Sequence, residues 1–263
     1  MILPRQELLK GCRDPQGMEG LLRQADEVLR TWQPSWSPFI SAPLREEALQ
    51  RLMSLTDLHW QTDGGYPNAE RRRLRCSRCE DDDNSTSPSS APILGMLMEG
   101  NFLFDPVSPI DILKALEAIG AQREDLGDIW IRGDRGAQAL CTPELAAKLN
   151  GCSSKVREVK INCEAVAITE LQPPAQRLKR RLSSVEASCR LDAIASAGFG
   201  LSRAKIVNQI KEGRLRLNWE PVRHTSQELL VGDRLQLQDR GTLEVLALEI
   251  TKRQRWRVEM LRH

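Results

Sequence analysis

The change of apolar period between Ser202 and Leu217 constrains this chain more than any other feature. Ile206, Val207 and Ile210 recur at helical spacing, whereas Leu215 and Leu217 alternate with Arg214 and Arg216 at strand spacing. A short helix must therefore hand over to a strand within a few residues, and Gly213 stands where a left-handed residue ends a helix. Ser202 is placed to cap the helix by accepting from a first-turn N–H, with Leu201 packing on Ile206 as a hydrophobic staple. In the strand, both leucines enter the core and both arginines leave by the other face. Arg203, Lys205, Lys211, Arg214 and Arg216 then form one basic surface.

Charge along the chain points the same way. The net charge is only +2, but residues 171–263 carry 18 Lys/Arg against 10 Asp/Glu, while 1–91 carry 12 against 14 and 92–170 carry 8 against 12. Neutralising phosphates needs a local positive field rather than a basic protein. Charge and motif together predict that the last third binds nucleic acid.

The order Arg190-Leu191-Asp192, a short helix, Gly200-Leu201-Ser202-Arg203, a second helix, Gly213, Leu215-Arg216-Leu217-Asn218 and then Val231-Gly232-Asp233 resembles the alpha-L RNA-binding domain of the ribosomal protein S4 type. Most such domains carry Gly after the asparagine of the hairpin, and here Trp219 follows Asn218. Glycine takes positive φ without cost, so turn chemistry disfavours the change. Asn-Trp at this turn resembles the YlmH-like branch, which includes the photosystem II S4 domain proteins of cyanobacteria and plastids. Phe39-Ile40, Gly64-Gly65-Tyr66 and Ala69-Glu70-Arg71 resemble the N-terminal part of the same family.

The resemblance implies a non-enzymatic protein docking structured RNA, either rRNA or tRNA, on the large ribosomal subunit. In that family the role is rescue of stalled translation, and the photosynthetic branch is linked by name to photosystem II. The candidate RNA-binding residues are Arg190, Ser202, Arg203, Lys205, Asn208, Lys211, Arg214, Arg216 and Asn218, extended by Lys179, Arg180 and Arg181 just before the module. Trp219 and Trp256 are candidates for base stacking, though packing is the commoner use of such residues.

The expected architecture is α+β: an N-terminal α/β region over 1–79, a disordered linker over 80–91, a ferredoxin-like middle domain over 92–170, a basic linker over 171–187 and the S4-type domain over 188–263. Near the N-terminus, apolar residues predict helices over Pro15–Trp32 and from Pro43 to about Leu55. Leu58–Gln61 and Glu70–Arg75 read as paired strands. Arg71, Arg72, Arg73, Arg75 and Arg78 make a second basic cluster, a secondary candidate for RNA contact, although Glu80–Asp83 follows and can screen it.

Residues 92–170 read as β-α-β-β-α-β, with Ser108 and Thr142 capping the two helices and Val156–Ile161 opening the last strand. The segment is acidic and its strands offer little aromatic surface beyond Trp130, so a scaffold or protein-binding role suits it as well as RNA contact.

Cys76 and Cys79 form a single Cys-x-x-Cys, and the three histidines lie singly in different segments, so neither metal nor redox chemistry is expected. Asp192 stands in a tripeptide like that of pseudouridine synthases, but it opens the RNA-binding module itself, where a helix-start carboxylate is favoured. With no phosphate-cradling loop and no Ser/His/Asp set, the expectation is no catalysis, no cofactor and no small-molecule substrate. The alternatives are an RNA-modifying enzyme and a protein-binding assembly adaptor. No apolar run reaches the length of a membrane span, and seven scattered cysteines suit a reducing, cytoplasmic setting.

Overall fold

The computed structural model describes residues 3–79, 90–175, 178–237 and 240–263. The chain divides into two compact units, residues 1–174 and 175–263. Most of the segment expected to be a disordered linker, residues 80–89, lies outside the described residues, as does Arg177.

In the first unit, α1 (Arg5–Leu9), α2 (Pro15–Thr31) and α3 (Ala42–Leu52) pack on a small antiparallel sheet of order β1-β3-β2, with β1 at Ser35–Trp36, β2 at Leu58–Asp63 and β3 at Arg73–Arg78. Asp14 caps α2 by accepting from Gly17 N at 2.9 Å, and Met18, Leu22, Ala25 and Val28 repeat at helical spacing to enter the core. The second strand begins at Arg73, three residues later than the sequence suggested, because Arg72 makes only an isolated bridge to Ile40.

The middle segment folds as β4 (Leu94–Glu99), α4 (Pro109–Ala118), β5 (Leu126–Ile131), β6 (Gly136–Cys141), α5 (Pro143–Leu149), β7 (Ser153–Val156) and β8 (Val159–Val166). Its order β5-β6-β4-β8-β7 is the ferredoxin-like arrangement with one extra edge strand. That strand departs from the sequence expectation: Val156–Ile161 is not one strand but the corner of a hairpin, turned at Arg157 with φ 52°. Ser108 and Asp111 form a full capping box on α4, and Thr142 caps α5.

The two sheets of this unit meet at a small core of Phe39, Ile93, Trp130 and Leu140. Asp128 on β5 ties them together, accepting from Tyr66 Oη at 2.6 Å and from the backbone N–H of Glu70 and Arg71 at 2.7 and 2.9 Å.

The second unit is an antiparallel sheet of order β11-β10-β12-β13-β14-β9. Its elements are β9 (Arg180–Glu186), α6 (Leu191–Phe199), α7 (Arg203–Lys211), β10 (Leu215–Leu217), β11 (Glu220–Pro221), β12 (Arg234–Leu237), β13 (Gly241–Ile250) and β14 (Trp256–Arg262). Leu191, Ile194, Phe199, Ile206 and Ile210 bury the helices on Leu215, Leu235, Leu243 and Val258 of the sheet. Gly198 lets α6 approach β13, since a Cβ there would stand 2.1 Å from a Leu243 methyl carbon. The segment expected to be a basic linker contains β9, which pairs with β14 along its whole length. In β9 only Leu182 and Val185 are large and apolar, which leaves little period to detect.

Among the described residues no helix is long and apolar enough to cross a membrane.

Candidate nucleic-acid interface

Helix α7 is held by its ends and by one face. The Ser202 hydroxyl accepts from Lys205 N at 3.3 Å, Gly213 takes φ 68° just past the helix, and Arg214 N closes on Gln209 O at 2.9 Å. Ile206 and Ile210 are buried, which fixes the roll of the helix and leaves Arg203, Lys205, Asn208 and Lys211 exposed. In β10, Leu215 and Leu217 are buried and Arg216 between them is exposed, as strand alternation requires.

Lys205, Asn208, Gln209 and Arg214 line one shallow groove together with Leu201, Leu237 and Arg240. Arg240 was absent from the sequence reading. It stands in the turn between β12 and β13, and its one signal was the turn dipeptide Arg240-Gly241 falling within a basic segment. Lys205, Lys211 and Arg240 are in no ion pair among the described residues. Arg203 lies 3.6 Å from Glu186 and Arg214 3.3 Å from Glu212, with both arginine side chains about half exposed. Exposed pairs of this kind contribute roughly 0–1 kcal/mol, so an incoming phosphate competes for them readily. Glu212 also lines the groove and partly offsets its charge.

Other candidates stand elsewhere. Arg180 and Arg181 lie on β9, four strands from β10 but two from the start of β13, where Arg262, the cross-strand partner of Arg180, donates to Arg240 O at 3.5 Å. Lys179 is exposed just before them. Arg190 holds Asp192 through Nε at 3.0 Å and Nη2 at 3.3 Å, so Asp192 is the buried, paired start of α6 rather than an open carboxylate.

The Asn218 side chain works inside the fold. Its Nδ2 donates to Asp233 Oδ1 at 2.8 Å and its Oδ1 accepts from Arg234 N at 2.9 Å, which pins the β10–β11 turn to the Gly232-Asp233 corner. Asn218 and Trp219 take φ 47° and 74°, the paired left-handed conformations of a two-residue hairpin. The turn thus keeps its geometry with tryptophan in the position that favours glycine. Trp256 packs partly against the core of the unit.

The arginines of residues 71–75 do not form a second open patch. Arg71 donates from Nε to Leu126 O at 2.9 Å and from Nη2 to Phe39 O and Arg123 O at 2.8 and 2.9 Å; burial lowers its pKa to about 10. Arg73 is buried, donates to Ser37 O and Pro92 O at 2.7 Å, and lies over the Phe39 ring. Arg75 is 3 % exposed. Arg72 bonds to the carbonyls of Ala69 and Pro67. Arg78 stacks 3.6 Å over Trp32. Period-two alternation puts Arg73 and Arg75 opposite the helical core, but a second layer covers that face, so both are buried and Arg73 meets carbonyls instead of phosphates.

Trp130 is likewise occupied: its Nε1 donates to Gln172 O at 2.8 Å and its ring meets Tyr66 edge-on. It offers no platform for bases. Cys76 is buried in the helical core, where desolvation pushes its thiol up to about 12, while Cys79 is exposed beyond the strand end. The two sulfurs therefore lie in different surroundings, one in the core and one at the surface. No group of three or more His, Cys, Asp or Glu able to hold a metal occurs among the described residues.

Residues 14–80 match the family model of the YlmH N-terminal domain, and residues 189–235 match that of the S4 domain. The chain is 25% identical over 217 residues to the ribosome-associated protein quality control protein P2 of Bacillus subtilis, covering 82% of each. The solved structure of the cell division protein ylmH from Streptococcus pneumoniae aligns with 61% of this chain and 94% of its own, at 20% identity and a TM-score of 0.47.

Proposed function

We propose that this chain, which carries a YlmH N-terminal domain and an S4 domain, is a non-enzymatic RNA-binding factor acting on the ribosome in quality control of stalled translation. The observation that carries the reading is the groove along α7, where Lys205, Arg214 and Arg240 converge from a helix, a strand start and a turn. Such a surface meets phosphate oxygens without reading base edges, and so recognises RNA by shape. Arg203, Lys211 and Arg216 are exposed beside it and extend the contact. The relationship to the quality control protein P2 of Bacillus subtilis supports the ribosome as the setting. Within it, we take structured rRNA or tRNA of the large subunit as the target and the cytoplasm as the compartment. The absence of a catalytic role is part of the same reading: Asp192, the residue most like a catalyst in the sequence, is spent on Arg190.

Co-sedimentation with ribosomes across a salt series tests this. The wild-type chain should travel with the large subunit at low salt, and Lys205→Glu with Arg214→Glu should stay at the top of the gradient. A wild-type protein that never sediments with either subunit would overturn the ribosomal reading.

A further inference from the structure

The second unit has another basic groove that the α7 reading leaves unused. At the tip of the β13–β14 hairpin, Lys252, Arg253, Arg255 and Arg257 line one concavity with Ile250 and Val185. All four cations are exposed, and none of them is in an ion pair among the described residues. The one carboxylate lining the concavity is Glu249, the cross-strand neighbour of Arg257.

The tip is built rather than loose. Thr251 N donates to Arg255 O at 2.7 Å, Gln254 N donates to Thr251 O at 2.9 Å, and the Thr251 hydroxyl accepts from Arg255 N at 3.1 Å. Gln254 takes φ 52° to close the turn. Val185, 50% exposed, shares the face of Arg257 and Glu249, while Ile250, 66% exposed, pairs with Trp256 on the other face at the end of the hairpin. Four exposed cations on one ordered hairpin tip match the closely spaced phosphates of an RNA backbone.

Strand β13 sets the distance between the two grooves. Arg240, in the α7 groove, immediately precedes it, and Thr251–Arg255 immediately follows it. Ten residues of strand rise at most about 33 Å, less the bend at the bulge between Val245 and Ala247, so the two sites stand at opposite ends of one strand. We propose that the β13–β14 tip is a second site for RNA backbone, so that this unit holds two RNA segments at once, or two turns of one, roughly 30 Å apart. The proposal rests on the RNA-binding reading and adds to it a two-point grip.

The test is a titration of the full-length chain with a fluorescent RNA duplex of about 24 base pairs, between roughly 50 and 300 mM salt. Three proteins are compared: wild type, the tip variant Lys252→Gln/Arg253→Gln/Arg255→Gln, and the groove variant Lys205→Gln/Arg214→Gln. Each variant should lose about tenfold or more in affinity at low salt, flatten the salt dependence by roughly the number of cations removed, and combine near-additively because the sites are far apart. Loss in the groove variant alone would overturn the tip site and leave the α7 site standing. Loss in neither would overturn the RNA reading itself. The same variants titrated with vesicles of phosphatidylcholine and phosphatidylserine close the remaining route, since a tip variant that loses only vesicle binding makes the tip a lipid contact. A tip variant that aggregates with unchanged RNA affinity would show that the cations only guard the sheet, again against the proposal. Thermal melting should coincide for all three proteins, because every altered side chain is exposed.

Discussion

Asp128 accepts from the backbone N–H of Arg71 at 2.9 Å, while the guanidinium of the same arginine turns away to three carbonyls of the segments around it. The carboxylate and the cation thus serve the same junction through separate hydrogen bonds. Asp128→Ala would strand the Tyr66 hydroxyl and two backbone N–H groups, each a part-buried donor that costs up to about 1–3 kcal/mol when unpaired. We expect a loss of about 3 kcal/mol or more in urea unfolding of the first unit. Asp134→Asn, on an exposed turn, should change nothing measurable.

Replacing Arg73 by Gln removes donors to Ser37 O and Pro92 O inside the same junction. A stability loss of about 2 kcal/mol is expected, with the salt dependence of RNA binding unaltered at temperatures where the protein stays folded. A flatter salt dependence in this variant would return the arginine cluster to the RNA surface.

The turn at Asn218 separates backbone strain from side-chain bonding. Asn218→Gly keeps a residue at ease with positive φ but loses the bonds to Asp233 and Arg234; Asn218→Ala loses both. Chemical denaturation of the second unit should therefore rank wild type above Gly and Gly above Ala, the last two separated by about 1 kcal/mol. Equal stability of Gly and Ala would show that the left-handed conformation costs nothing here.

Alkali should weaken the first unit. Burial raises the Cys76 and Cys141 thiols to about 12, and raises the Tyr66 hydroxyl, with Asp128 beside it adding to the shift. A raised folded-state value contributes stability that is complete below the unfolded-state value, about 9 for a thiol, and is lost as pH climbs toward 12. Melting temperature should fall steadily across that window. Cys76→Ala with Cys141→Ala should flatten the fall while lowering stability at neutral pH.

The legible parts of this protein are the local ones. Ser202, Ile206, Ile210 and Gly213 define α7 within a dozen residues, so caps and period sufficed to place its exposed cations. The ferredoxin-like order followed from capped helices between apolar strands for the same reason. What escaped depends on distant partners. Whether Arg73 meets water or Pro92 O depends on a layer folded from later residues, which no period in β3 encodes. Arg240 joins Lys205 only through the pairing of β10 with β12. The hairpin at Arg157 lacks the Gly or Asn that announces such turns, its guanidinium being held instead by Asp105 and Asp111.

The pairing of β9 with β14 has a consequence for how the protein is made. Arg180 opposes Arg262 and Glu186 opposes Trp256, so the earliest strand of the unit finds its partner only in the latest. During synthesis α6, α7 and the α7 groove emerge before the sheet that supports them can close. A nascent chain arrested before Trp256 would leave one edge of β13 and the whole of β9 unpaired beside whatever surrounds the exit tunnel. The α7 groove is therefore complete only when the last strand is made, since Arg262 of β14 donates from Nη2 to Arg240 O at 3.5 Å.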